Sequence, residues 1–314
     1  MADSATVPVV SVVLCSWNGA ARIGAAIDAL LDQHDAPPHE LLIVDNASTD
    51  GTAEVVAARH ARAGGRLRLL HEARPGVSHA RNLGIREARG EIVAFTDDDV
   101  RVGPTWVADV AATLAAHPDT ACVGGPVRPL WPSEVAAWLT PRHWAPLGVQ
   151  DYGPHAFVVD ASRPICLISA NLAVRRTVLR RIGPFAPHVQ RVGRGIGSTE
   201  DHEFLVRLWA AQLQGRYEPA LRVEAEVDPA RLTQRYHRAW HFGHGRHIAR
   251  MRLDTMERSR RRVLGVPGHL YRQFLRDLAA RGRAAVIGPR NPGDAFAHEV
   301  GLWFVAGYVR ERWA

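Results

Sequence analysis

Lysine is absent from this chain and cysteine is scarce. All 39 basic residues are arginines, which a genome-wide compositional bias explains more readily than selection for guanidinium chemistry, so we infer no function from it. The three cysteines, Cys15, Cys122 and Cys166, are widely spaced and odd in number. They indicate neither a disulfide framework nor a zinc site. This cysteine usage favours a reducing cytoplasm.

Long apolar runs are also absent. No segment reaches the roughly 18 consecutive apolar residues that a membrane-spanning helix needs. Residues 1–8 carry Asp3 instead of a basic run, so we expect no secretory signal. Apolar residues make up 46% of the 314-residue chain, which is ample for a core. We expect a cytoplasmic globular protein with either one large domain and an extension or two domains.

The positive charge lies mostly near the C-terminus. Residues 228–314 contain 17 Arg and 7 acidic residues, whereas the rest of the chain contains 22 Arg and 25 acidic residues. Such a basic segment is either a solvated face near a nucleotide site or a surface that touches anionic lipid. The sequence alone leaves both interpretations open.

The first 125 residues alternate between two patterns. Short apolar runs rich in β-branched residues, which strands favour, occur at residues 9–15, 41–44, 67–70 and 92–95. Helical patterns lie between them, at about 22–33, 52–63 and 78–89. Strands that alternate with helices predict a doubly wound, mostly parallel α/β sheet.

Polar loops follow three of the predicted strands, and the most informative is Asp97-Asp98-Asp99. Because parallel strands end at the same edge of a sheet, these loops can build one site. Three adjacent carboxylates repel one another unless a cation shares the site, and Mg²⁺ or Mn²⁺ takes oxygen ligands and bridges to substrate phosphates. The alternative is a solvated acidic turn in which an Asp caps the next helix.

The other two of these loops are residues 16–19 and 45–52, and both they and the later segment 74–84 add hydrogen-bonding groups. The segment 45–52 begins with Asp45, whose carboxylate can accept hydrogen bonds from a nucleobase or ribose, and its later residues can cap the next helix. The segment 74–84 brings Arg74 and Arg81 to the start of a helix. Arginine and a helix N-terminus both favour a diphosphate.

Four segments together resemble the successive motifs of family 2 glycosyltransferases. They are residues 12–18, 43–52, 80–85 and 95–99. The resemblance implies an inverting enzyme with the GT-A fold, a Rossmann-like sheet that binds nucleotide-diphosphosugars. It also implies a catalytic domain over residues 1–227, with a nucleotide-binding half to about 125 and an acceptor half from about 126. A basic helical extension would then cover 228–314.

The resemblance also implies roles for individual residues. By analogy Asp45 contacts the nucleobase, and Arg81 contacts the base or the diphosphate. Asp97 contacts the ribose and Asp99 holds a Mn²⁺ or Mg²⁺ ion, with Asp97 as a second metal ligand. Asp98 shares the ribose or metal role, and the sequence does not separate these assignments. We also expect nucleotide-sugar contacts from Ser16 and Asn18 in the loop after the first strand.

Inversion requires a general base for the acceptor hydroxyl. The segment 193–201 is similar to the family's Glu-Asp segment and leads into a predicted helix at about 201–213. We predict Asp201 as the base, with Glu200 next. The alternative is that both acidic residues only cap that helix. Asn171, in the segment 169–176 that resembles the family's acceptor side, either binds sugar hydroxyls or caps a turn.

The chain departs from the family pattern after the segment 215–220. Ala225 stands where many relatives carry a His near the metal or the donor phosphates, so we assign no third metal ligand. The later His237, His241 and His244 have helical spacing, but no Cys or acidic partner accompanies them. We prefer a helix that folds over the donor to a zinc site. The aromatic stretch 126–164 is the predicted source of acceptor selectivity.

The sequence therefore predicts a cytoplasmic, metal-dependent hexosyltransferase. Its donor would be a UDP-, dTDP- or GDP-sugar, and its acceptor a glycan, a lipid-linked molecule or a small molecule. We expect no nucleic-acid partner, and peripheral contact with an anionic membrane stays open. The alternatives are a sugar-phosphate nucleotidyltransferase, or an inactive nucleotide-binding, glycan-binding or membrane-adaptor protein.

Overall fold

The computed structural model describes residues 7–190, 196, 199–252, 261–288 and 291–314. The strands are Val10–Ser16 (β1), His39–Asp45 (β2), Leu67–His71 (β3), Ile92–Asp97 (β4), Val100–Val102 (β5), Thr120–Gly124 (β6), Val127–Leu130 (β7), Phe157–Val159 (β8), Leu172–Arg175 (β9), Gln214–Tyr217 (β10), Val223–Glu226 (β11), Arg262–Val263 (β12) and Val266–Pro267 (β13). The α-helices are Ile23–Leu31 (α1), Thr52–Ala57 (α2), Val77–Glu87 (α3), Trp106–Ala116 (α4), Arg176–Ile182 (α5), Glu200–Ala210 (α6), Gln234–Met251 (α7), Gly268–Ile287 (α8) and Pro292–Arg312 (α9).

An eight-stranded sheet with the order β3-β2-β1-β4-β9-β6-β10-β8 forms the centre of the fold. Strands β3, β2, β1 and β4 run parallel, and β1 and β2 are buried along their whole length. Such apolar runs suit a parallel sheet because both of its faces are covered. The α/β fold class with a mostly parallel sheet is therefore confirmed. The parallel register places Ser16 beside Asp45 and Cys15 beside Asp97, so the loops that follow share one edge.

The predicted helices are present but shorter than their patterns. The pattern at 52–63 gives a helix that ends at Ala57, and Gly64 and Gly65 then take positive φ values before β3. The pattern at 201–213 gives α6, which ends at Ala210, and Gln212 has a φ of 57°. Helix ends are poorly specified by periodicity because side chains beyond the last turn can still pack apolar surface.

A three-stranded sheet with the order β5-β11-β7 supports the acidic loop. Ala225 lies on β11 and is buried, whereas its neighbour Glu224 is exposed. The backbone NH of Glu226 donates to the carbonyl of Asp99 at 2.8 Å. The strand that carries Ala225 is therefore hydrogen-bonded to the last residue of the Asp97-Asp98-Asp99 loop.

The described residues form two compact units. The first comprises 7–130, 151–190 and 200–226, and the second comprises 131–150, 196, 199 and the described residues from 227 onward. The predicted boundary between residues 227 and 228 stays a prediction, since compactness does not show which residues an activity requires. None of the helices in the described part of the chain is long and apolar enough to cross a membrane.

The second unit is built on α7, α8 and α9. His237 on α7 is fully buried, and its ring lies 5.0 Å from that of Trp138 and 6.2 Å from that of Phe296. Arg238 and Arg246 on α7 form ion pairs with acidic residues of α9. Within the described ranges no group of three or more His, Cys, Asp or Glu side chains is arranged to hold a metal.

Helices α7 and α9 approach closely because glycines face each other's backbone. A Cβ atom at Gly245 would collide with the carbonyl oxygen of Phe304, and one at Gly307 would collide with that of Phe242. Contacts below 3.0 Å force backbone atoms to move, which a packed helix pair resists. The two glycines therefore set the distance between the helix axes.

We predict that Gly245→Ala lowers the free energy of unfolding by ~1–3 kcal/mol through overpacking. Gly282→Ala on α8 is the matched control, because a Cβ there meets no atom within 4 Å. Alanine in an exposed helix interior should raise stability by ~0.5–1 kcal/mol. Urea unfolding measures both variants, and equal effects of the same sign would contradict the close approach of α7 and α9.

Candidate active site

Loops after β1 and β2 are tied together by hydrogen bonds. The backbone NH of Asn18 donates to Ser48 Oγ at 2.9 Å, and Asn18 Oδ1 accepts from the backbone NH of Thr49 at 2.8 Å. Asp50 Oδ1 accepts from the backbone NH of Thr52, the first residue of α2, whereas the N-cap residue is Gly51 and no side chain among the described residues caps the helix. Asn18 itself has a φ of 50°, a conformation that Asn tolerates better than most residues. The two predicted donor loops thus form one continuous surface.

Asp45 ends β2 at the sheet edge. Its Oδ1 accepts from the backbone NH of Ser48 at 3.0 Å, and its Oδ2 lies 3.4 Å from His71 Nδ1. The next residue, Asn46, donates to the carbonyls of Glu72 and Arg74 at 3.0 and 2.7 Å. Asn46, which was not among the predicted site residues, therefore holds the loop after β3 beside Asp45.

Exposure alternates along the acidic loop. Asp97 and Asp99 are partly exposed, whereas Asp98 is buried. Ser16 Oγ donates to Asp98 Oδ2 at 2.6 Å, and Arg22 donates to Oδ1 at 3.3 Å. Burial raises the pKa of Asp98, although Arg22 and Ser16 oppose that change. Asp98 and Ser16 therefore bond to each other inside the protein, and Asp97 and Asp99 present the accessible carboxylates.

Gly19 is required where the first loop passes this pair. A Cβ atom at that position would collide with Ser16 Oγ and Asp98 Oδ2. Its backbone NH also donates to Thr52 Oγ1 at 3.0 Å. The sequence contained this glycine in the first polar loop, but only the structure explains why no side chain fits.

Arg81 connects the acidic loop to α6. Its guanidinium is nearly buried and lies 3.4 Å from Asp97 Oδ1, 3.2 Å from Glu200 Oε1 and 3.6 Å from Asp201 Oδ1. Its Cζ lies 5.5 Å from the ring centroid of Phe185. Burial lowers the pKa of Arg81, but attraction to the three carboxylates outweighs burial and keeps it above the usual value. The predicted donor side and the predicted base are therefore joined by one cation.

Asp201 lies in the first turn of α6 with 17% of its side chain exposed. Its Oδ2 accepts from the backbone NH of Ser169 at 3.1 Å, while its Oδ1 has no hydrogen-bond partner among the described residues. Burial raises the pKa of Asp201 from 3.8 to about 6, with Arg81 lowering it and Glu200 raising it. A carboxylate with this pKa is ionised at neutral pH and basic enough to take a proton.

Glu200 is more enclosed than its neighbour. Its side chain is 7% exposed, Oε1 accepts from Arg81, and Oε2 has no hydrogen-bond partner in the described part of the chain. Of the glycine-rich segment before it, residues 191–195 and 197–198 lie outside the described residues. Asp201 is the more accessible of the two acidic side chains.

Asn171 is 1% exposed, and its amide is occupied by protein groups. Oδ1 accepts from the indole NH of Trp106 at 2.9 Å, and Nδ2 donates to the carbonyls of Pro126 and Leu221. All of these partners are protein groups of the first unit, so the Asn171 side chain links three segments inside that unit. We use the term Arg81 cluster for Arg81 with Asp97, Glu200 and Asp201. The structure does not bring Asn171 into this cluster.

The sequence suggests that Arg74 and Arg81 both serve a diphosphate site at the start of α3, and the structure separates their contacts. The backbone NH of Ser78 donates to Gln190 Oε1 at 2.8 Å, and Arg74 forms an ion pair with Glu72 at 2.9 Å. Gln190 lies more than a hundred residues away in sequence, so no local pattern predicts this contact. Of the two arginines in this segment, only Arg81 reaches the carboxylate cluster.

The fold resembles those of solved glycosyltransferases. A mannosyltransferase from Pyrobaculum calidifontis, PcManGT, in complex with GDP-Man and Mn²⁺, matches 98% of this chain and 87% of its own with a TM-score of 0.63 and 23% identity. S. aureus TarS 1-349 in complex with UDP-GlcNAc matches 95% of this chain and 89% of its own with a TM-score of 0.53 and 19% identity. At these identities the likeness concerns the fold alone.

Proteins named as glycosyltransferases are similar in sequence to part of this chain. Glycosyltransferase AglE of Haloferax volcanii is 29% identical over 188 residues, which are 59% of this chain and 59% of AglE. The uncharacterized glycosyltransferase YibD of Escherichia coli is 35% identical over 109 residues, which are 35% of this chain and 31% of YibD. The chain therefore spans less than two thirds of either relative. The model of glycosyl transferase family 2 matches residues 11–183, more than half of the sequence, and the chain belongs to that family.

Proposed function

We propose that this protein transfers a hexosyl group from a nucleoside-diphosphate sugar to an acceptor hydroxyl, with inversion at the anomeric carbon. The observation that carries the proposal is the Arg81 cluster, in which one buried guanidinium joins Asp97 to Asp201. A transferase needs a donor site next to a proton acceptor. In this cluster Asp97, which we assign to the donor site, lies near Asp201, which we assign as the proton acceptor. Family membership supports the same class of reaction.

The donor nucleotide would lie on the surface made by the loops after β1 and β2. Asp45 would accept hydrogen bonds from the nucleobase, and Ser16 and Asn18 would act mainly by shaping this surface, because both already bond to protein groups. Arg81 would attract the diphosphate or the base. Asn171 would support the site indirectly, because its amide bonds to Trp106, Pro126 and Leu221.

A divalent cation would be held by Asp97 and Asp99. Their alternating exposure supports this assignment, since Asp98 turns inward and leaves two carboxylates on the accessible side. Mg²⁺ and Mn²⁺ need only one or two protein carboxylates when diphosphate oxygens and water complete the shell, so a two-carboxylate site fits this donor set. The cation would supply positive charge near the departing diphosphate. Two proteins of similar fold, PcManGT and GalNAc-T7, were solved with Mn²⁺.

Asp201 would act as the base in the transfer step. Its carboxylate takes the proton of the acceptor hydroxyl as that oxygen forms a bond to the anomeric carbon. The bond from the anomeric carbon to the diphosphate oxygen breaks, and the electron pair leaves with the nucleoside diphosphate. Arg81 holds Asp201 in position and restrains its pKa, while Glu200 raises that pKa by repulsion.

We predict that one nucleoside diphosphate among UDP, dTDP and GDP raises the melting temperature by several degrees, and only with Mn²⁺ or Mg²⁺ present. A ligand at ~100 times its dissociation constant stabilises the folded state by ~2.7 kcal/mol. CMP is the comparison ligand, because it lacks the second phosphate. The absence of any metal-dependent shift would contradict the proposed donor site.

Asp99→Ala should abolish the metal-dependent part of this thermal shift. One of the two accessible carboxylates is removed while Asp98 keeps its bonds to Ser16 and Arg22, so the unliganded protein should retain its fold. Asp119→Ala, at an exposed turn of the same unit, removes an equal charge as a control. An unchanged thermal shift in Asp99→Ala would refute its assignment as a metal ligand.

Asp201→Asn should keep donor binding and lower kcat by ~10²–10⁴, the usual contribution of a general base. The amide oxygen can still accept from the backbone NH of Ser169, so the local structure should persist. Isothermal titration with the nucleotide and a single-turnover transfer assay separate binding from chemistry. Wild-type turnover in Asp201→Asn would overturn the role of this carboxylate.

The transfer rate should fall as pH decreases through about 6. Protonated Asp201 cannot accept a proton, and burial raises its pKa to about 6, so kcat/KM should rise from pH 5 and level off near pH 7.5. Donor affinity measured over the same pH range serves as the control. A flat profile of kcat/KM between pH 5 and 8 would mean that another group takes the proton.

A further inference from the structure

Helix α8 presents an apolar stripe to the exterior of the second unit. Leu275, Leu278 and Val286 are 63%, 49% and 85% exposed. Their spacing of three and eight residues places them on one face of the helix. The opposite face carries Leu270 and Asp277, which are buried. An apolar face this exposed is uncommon on a protein that meets only water.

The stripe continues onto the hairpin of β12 and β13. Val263 and Leu264 at the hairpin are 56% and 73% exposed, and Tyr271 donates its hydroxyl hydrogen to the carbonyl of Val263 at 3.1 Å. Trp313, 55% exposed, donates its indole NH to the carbonyl of Leu264 at 2.9 Å. These residues together form what we term the apolar ridge: Val263, Leu264, Tyr271, Leu275, Leu278, Val286 and Trp313.

Positive charge flanks the apolar ridge along α8. Arg272, Arg276 and Arg283 are exposed, and their spacing places them on one side of the stripe. Arg272 and Arg283 form no ion pair with any described residue, and the partner of Arg276 is the buried Asp277. Asp277 is the single acidic residue of this helix, so its outer face carries no negative charge. A partner that fits this face is apolar with an anionic rim.

We propose that the apolar ridge inserts into the interface of a lipid bilayer that contains anionic lipids, with α8 lying in the membrane plane. The leucines and Val286 would enter the acyl boundary, and the arginines would reach the phosphates of the headgroups. Tyr and Trp side chains such as Tyr271 and Trp313 favour the boundary between apolar and wet regions. This proposal does not depend on the proposed transfer reaction.

Charge disfavours a second copy of this chain as the occupant. A two-fold contact through the apolar ridge would use the same patch on both copies, so it would bring the two rows of arginines close together. Helix α8 has no acidic residue on its outer face, so within the helix nothing compensates that repulsion. An anionic bilayer supplies both the apolar layer and the countercharge.

The test is flotation of the full chain with vesicles. Phosphatidylcholine vesicles containing about 30% phosphatidylglycerol should bind the protein, and vesicles of phosphatidylcholine alone should bind it at least about tenfold more weakly. Leu275→Glu with Leu278→Glu, and separately Arg272→Glu with Arg283→Glu, should each reduce binding about tenfold or more. Arg89→Glu with Arg180→Glu, two exposed arginines of the first unit, is the matched control and should bind as the wild type does.

All four substituted positions on α8 are exposed, so the variants should fold, and circular dichroism and the melting temperature check that they do. Loss of vesicle binding in the two α8 variants, with binding kept in the control variant, supports the proposal. No binding to anionic vesicles, or an equal loss in the control variant, overturns it. A concentration-dependent dimer that Leu275→Glu with Leu278→Glu dissolves, without vesicle binding, also overturns it and assigns the face to a second copy.

Discussion

The nearly buried Arg81 is the constraint on which the candidate site depends. Three carboxylates from β4 and α6 approach it within 3.6 Å, and without a cation at that place they would repel one another. A buried ion cluster of this kind adds little net stability, because desolvation offsets attraction. Its value here is positional, since it holds the acidic loop and the start of α6 in one geometry.

The same cluster explains how neighbouring carboxylates can differ in chemistry. Asp98 is turned inward and bonded to Ser16, Asp97 shares Arg81, and Asp201 keeps one oxygen that lacks a hydrogen-bond partner among the described residues. Burial raises the pKa of Asp201, so the folded protein retains an ionised side chain that would bind a proton readily. Sites that carry out proton transfer commonly hold carboxylates in such unfavourable environments.

Much of the fold was predictable because it follows from local pattern. Apolar runs predicted β1 to β4, and the shared edge of a parallel sheet predicted that the residues after β1, β2 and β4 would meet. The contacts that complete the site were not predictable in the same way. Asn46, Gln190 and Ser169 act through hydrogen bonds between segments that are distant in the sequence. The sequence identified Asn171 as a site residue, but it could not indicate that its amide points toward the core.

The most direct test of the role of Arg81 is the stability of Arg81→Met as a function of pH. Removing the cation leaves buried carboxylates uncompensated, which should cost ~3–5 kcal/mol at pH 8. Burial already raises the pKa of Asp201 and Arg81 lowers it, so without Arg81 the folded pKa of Asp201 would lie further above the unfolded one, and the loss should shrink toward pH 5 as this side chain takes up a proton. Urea unfolding of wild type and variant at both pH values measures this difference. A loss below ~1 kcal/mol, or one that does not change with pH, would contradict the central position of Arg81.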